Sequence, residues 1–138
     1  MDRQELLKLM PQHKFDTGRA KHLVELGYPA VAPILPEILG CLLDANWPIA
    51  KELHNFVISI GATAAPAIRD IFEGDDEAWK YYILSPVVRF SPELAHALLT
   101  DLERIAYAPT PAEEAELVAE TAAEILKDLG YKPPHEAR

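Results

Sequence analysis

Two stretches decide the fold: DANWPIAKELHNFVISIG, from Asp44 to Gly61, and DDEAWKYYILSPVVRF, from Asp75 to Phe90. Each opens on aspartate, reaches a tryptophan within a few residues and continues as an apolar run with helical spacing. Trp47 and Trp79 stand 32 residues apart, a period that belongs to stacked helix pairs rather than to a single closed core. In the first stretch Asn46-Trp47-Pro48 supplies a cap and a first-turn proline, and Ile49, Leu53, Phe56, Val57 and Ile60 form one apolar stripe that ends at Gly61. In the second, Tyr81, Tyr82, Ile83, Leu84, Val87 and Val88 are apolar nearly all round, as expected of a helix sandwiched between neighbours. Pro86 predicts a kink or an early end to that helix.

Towards the N-terminus, a short helix is expected from Arg3 to about Met10, closed by Pro11. Asp16 or Thr17 can cap the next, with Ala20, Leu23 and Val24 as its apolar stripe and Gly27 as its left-handed stop. Pro33 and Pro36 require an irregular first turn for the segment Ala30 to Leu43, after which Leu35, Ile38, Leu39 and Leu42 share a face. Towards the C-terminus, Thr63 is read as the cap of a helix from Ala64 to Glu73. Ser91-Pro92 restarts the chain as a helix of about four turns with Leu94, Ala95, Leu98, Leu102 and Ile105 inward. Thr110-Pro111-Ala112-Glu113 has the form of a capping box, opening a last helix that runs to Leu129. In it Glu116, Glu120 and Glu124 make a wet row, leaving Val118, Ala122, Ile125 and Leu129 for the core. Leu129-Gly130-Tyr131 echoes Leu26-Gly27-Tyr28. Paired in order, these helices give units beginning near Asp16, Asp44 and Asp75. The expectation is an all-α fold, a right-handed stack of antiparallel helix pairs in a single domain spanning 1–138.

Hydrophobic residues make up 49% of the 138-residue chain and charged residues 25%, close to a globular average, which excludes fibrous and disordered classes. No apolar run approaches the ~20 residues that span a bilayer, and Met1-Asp2-Arg3-Gln4 leads into no signal-peptide core, so a cytoplasmic location and no membrane partner are expected. Cys41 is the only cysteine; its apolar surroundings make it a buried thiol. The net charge of −9 argues against nucleic acid as a ligand. Charge is uneven. From Met1 to Lys21, five basic residues (Arg3, Lys8, Lys14, Arg19, Lys21) face three acidic ones, whereas from Thr100 to Asp128 eight acidic residues face only Arg104 and Lys127.

LMPQHKFDTGRA, LGYPAVAPILPEIL, DANWPIA and DDEAWKYYIL, in that order between Leu9 and Leu84, resemble a bacterial family of small HEAT-like helical proteins catalogued only as a domain of unknown function. The resemblance implies a HEAT/ARM-like superhelix. It implies no reaction, cofactor or catalytic residue.

The strongest candidate surface combines Asn46, Trp47, Lys51 and His54 with Trp79, Lys80 and Tyr82. Trp47, Lys51 and His54 share a helix face by their spacing, and tryptophan and tyrosine are enriched in binding hot spots; the competing reading is that both tryptophans wedge between helix pairs as packing. Asp75, Asp76 and Glu77 are explained by the dipole and free amides of a helix N-terminus. His13, His22, His54, His96 and His135 show no ligand spacing, so neither a metal nor a cofactor is expected. His13, Lys14, Arg19, Lys21 and His22 form a basic cluster, suited to an anionic group or an acidic protein tail if it is more than a solvated surface. No phosphate loop, serine elbow or reactive-cysteine constellation is present. The expected function is therefore a non-enzymatic protein–protein interaction module of adaptor or immunity type, with a protein as partner. The alternative is a small enzyme or ligand-binding protein with its pocket between Trp47, Tyr82 and Arg89.

Overall fold

The computed structural model describes residues 1–133. Their helices are α1 (Arg3–Leu7), α2 (Thr17–Leu26), α3 (Leu35–Gly40), α4 (Pro48–Ile60), α5 (Ala65–Phe72), α6 (Glu77–Leu84), α7 (Pro92–Ala97), α8 (Leu99–Tyr107), α9 (Pro111–Ala115) and α10 (Val118–Asp128). No strand occurs among the described residues. Three short 3-10 turns, Ala32–Ile34, Gly61–Ala64 and Val88–Phe90, precede α3, α5 and α7. The second helix of each pair thus enters through a tight turn, with proline in the first turn of the helix that follows, where its missing N–H costs nothing.

Corresponding helices of successive units lie on one another. First helices stack as α2 on α4, second helices as α3 on α5 and as α7 on the Gly61–Ala64 turn, while α6 and α8 both pack on α10. This is the antiparallel helix-pair arrangement expected of a helical repeat. A continuous apolar core runs through it, from Leu6 and Leu23 by way of Ile38, Leu53 and Ile68 to Leu102 and Leu126. Two stripes are as expected: Leu35, Ile38, Leu39 and Leu42 are buried, as are Leu94, Ala95, Leu98, Leu102 and Ile105, whereas Val24, expected inward on α2, is exposed and Ile60 is only half-buried.

Several boundaries differ from expectation. α1 ends at Leu7 rather than near Met10. Thr63 caps nothing: it lies inside the second 3-10 turn and its hydroxyl donates to the Ile60 carbonyl at 3.1 Å. The second tryptophan helix stops at Leu84, ahead of Pro86, so Tyr82 and Arg89 belong to different elements. The helix after Ser91 is divided at Leu98. The capping box at Thr110 and Glu113 is present, but the helix it opens breaks at Leu117, which has φ 66°, before α10 continues. Leu129 is consequently a third exposed rather than core. The tryptophans are not at equivalent positions either. Trp47 precedes α4 with extended backbone, whereas Trp79 is the third residue of α6, its N–H bonded to Asp76 at 3.0 Å.

A candidate docking groove beside Trp47

The loop from Pro11 to Lys14, the end of α3 and the start of α4 converge on an open groove of about 410 Å³. Pro11, Gln12, His13 and Lys14 line it from the loop, Glu37, Gly40 and Cys41 from α3 and its end, and Trp47 and Ile49 from the start of α4. That volume falls in the range of ~300–1,000 Å³ typical of binding clefts. Local hydrogen bonds fix the walls. The Asp16 carboxylate accepts the Gln12 N–H at 3.0 Å, the Ile49 N–H donates to the Lys14 carbonyl at 3.2 Å, and the Trp47 N–H closes a turn onto Asp44 at 3.1 Å. Arg19 donates to the Lys8 carbonyl at 2.6 Å, tying α2 to the preceding loop.

The electrostatics of the groove are asymmetric. Arg3 forks onto Glu37, and this hydrogen bond holds the Glu37 carboxyl below its usual range against the cost of burial. The one acid in the lining is thereby neutralised by a partner. His13 and Lys14 are exposed on the rim, and the Lys14 ammonium lies 5.3 Å from the ring centre of Phe15, which is itself 65% exposed. Cys41 is buried beside the groove, and burial pushes its thiol up to about 11, which keeps it protonated near neutrality. What the groove offers is an apolar trough with the Lys14 ammonium at its edge, suited to an apolar side chain flanked by carboxylates.

Of the eight residues singled out from sequence, only Trp47 lines this groove. Asn46 and Lys51 are exposed nearby in sequence. His54, on α4, is half-buried with its Nε2 unpartnered, and burial lowers its pKa. Trp79 is half-buried, its indole N–H donating to the Leu39 carbonyl at 2.9 Å. Tyr82 is half-buried and packs edge-on against Tyr81. Arg89 donates to Glu124 at 2.9 Å.

Lys80 lies deepest of the eight. Its ammonium bonds Glu77 and the fully buried Glu113, each at 3.1 Å. Arg104 grips the same Glu113 carboxylate at 2.5 and 2.8 Å, and the Thr110 N–H adds a further bond at 2.9 Å. Burial opposes the charge on Glu113, but the bonds from Arg104, Thr110 and Lys80 outweigh it and hold the carboxyl at about 2. This network joins α6, α8 and α9. Sequence reasoning found Glu113 as a capping-box residue and placed Lys80 on a surface; no local signal links two positions so far apart in the chain.

Another feature had no sequence signal. Leu117 is 52% exposed in left-handed backbone, its carbonyl accepting from the Thr121 N–H at 3.0 Å and hydroxyl at 2.7 Å. Such a conformation costs a leucine about 1–3 kcal/mol. A cavity of about 500 Å³ lined by Tyr107, Lys127 and Tyr131 abuts Pro133, the last residue described. Among the described residues no helix is long and apolar enough to cross a membrane, and no cluster of His, Cys, Asp and Glu could hold a metal; His135 lies outside the described residues. A family model described as Domain of unknown function (DUF5071) matches residues 9–126, extending the resemblance seen up to Leu84. No curated protein matches the chain.

Proposed function

The chain belongs to the DUF5071 family, and we propose that it is a non-enzymatic protein-binding module, HEAT-like and cytoplasmic, with the Trp47 groove as its docking face. The observation that carries this reading is the groove itself: Trp47 and Ile49 on one side, the exposed Lys14 on the other, and the only lining carboxylate, Glu37, already engaged by Arg3. Aromatic side chains over a partly desolvated trough are the usual anchors of protein interfaces, and rim cations select for acidic partners and speed their encounter. On this reading the module has an adaptor or immunity-type role in a bacterium, its groove receiving a segment of the protein partner.

The test is affinity capture from extracts of the source organism with four immobilised chains: wild type, Trp47→Ala, Lys14→Glu and the distant control Lys127→Glu. The expected result is a protein retained by wild type and Lys127→Glu and lost from the other two. Identical recoveries from all four chains would overturn the reading.

A further inference from the structure

We propose that the segment this groove receives is the Leu117 corner of a second copy of the chain, so that molecules associate head to tail. The inference rests on the reading of the groove as a protein-docking face. The occupant is named by the chain itself. Between Pro111 and Glu124 stand Glu113, Glu114, Glu116, Glu120 and Glu124 with no lysine or arginine. Glu113 is spent internally on Lys80 and Arg104, and Glu124 on Arg89. Glu114, Glu116 and Glu120 are exposed and make no ion pair among the described residues. In their midst Leu117 projects as a half-exposed apolar side chain. The corner thus has the chemistry the groove asks for, an exposed apolar residue with unpaired carboxylates on either side of it in the chain.

Groove and corner cannot be mistaken for one patch. The groove is built from the α1–α2 loop, α3 and α4, while the corner joins α9 to α10, which pack against each other and against α6 and α8. Two different, complementary patches give a heterologous contact, which propagates or closes into a ring rather than stopping at a symmetric dimer. The left-handed backbone at Leu117 fits the same account. Glycine would sit there without strain; the leucine, its carbonyl held by Thr121, instead sets an apolar side chain in solvent.

The experiment is sedimentation of the full chain over a wide concentration range at about 50 mM and at about 500 mM salt, since contacts between exposed charges are largely screened at the higher value. The expected result is a mass that rises with concentration at low salt and falls back towards monomer at high salt. Leu117→Gly, whose glycine takes the φ of 66° without strain, is expected to weaken association roughly tenfold or more, as is Trp47→Ala. Mixed together, the two variants should form a one-to-one dimer and nothing larger, because only one groove and one corner remain competent. A wild type that stays monomeric at every concentration overturns the proposal. If affinity capture still shows a Trp47-dependent partner, the self-association fails alone; if it does not, both fall.

Discussion

Lys80 carries the strongest argument at the scale of single residues. It is 2% exposed between two carboxylates, and a buried charge is tolerated only while its partners remain. Lys80→Met should therefore cost about 3 kcal/mol, chiefly because Glu77 loses its partner while Glu113 keeps Arg104. Adding Glu77→Gln, which removes the carboxylate left without a partner, should restore more than half of that loss in urea unfolding. The same network sets an acid limit. Glu113 ionises at about 2 when folded against an ordinary 4.5, so its contribution, on the order of 3 kcal/mol, is complete above pH 4.5. It is lost as pH falls from there towards 2. Stability measured across that window should drop in the wild type and change less in Glu113→Gln. Cys41 gives a chemical counterpart: held up at about 11 by burial, its thiol should react with a disulfide reagent at pH 8 only on unfolding, and rapid reaction of the native chain would contradict the packing around it.

Among the elements, the joints decide more than the helices. Trp79 ties α6 to α3 through the Leu39 carbonyl, so Trp79→Phe should lose about 1 kcal/mol, read as a lower thermal midpoint. Helix existence and core faces were legible in the sequence because proline, glycine and three-to-four spacing act locally: Pro48, Gly61, the Thr110 capping box and the Leu35–Leu42 face all stand where they were read. The breaks were less so. Pro86 announced its own, but Leu98 and Leu117 interrupt runs with no breaker residue, and there packing of α8 and α10 overrides propensity. The tryptophan repeat marked the right architecture even though the two residues sit nearly a turn out of register with their helix starts. The groove was half legible: Trp47 and the basic cluster of His13 and Lys14 were both visible, but their meeting depends on a backbone bond from Ile49 to Lys14 that only the fold reveals.

For the molecule as a whole, the governing fact is polarity. A net charge of −9 would keep copies apart at random orientation, yet residues 1–21 carry more basic than acidic groups, Lys14 among them, while the unpaired Glu114, Glu116 and Glu120 lie near the other end of the chain. Repulsion and a directional attraction then coexist, and salt decides between them. The most direct measurement follows the two indole N–H signals of a ¹⁵N-labelled Leu117→Gly chain, whose groove is intact, as unlabelled Trp47→Ala chain, whose Leu117 corner is intact, is added at low salt. The Trp47 signal should shift progressively while that of Trp79, bonded to Leu39, stays in place. An unmoved Trp47 signal, or a shift confined to Trp79, would contradict the account.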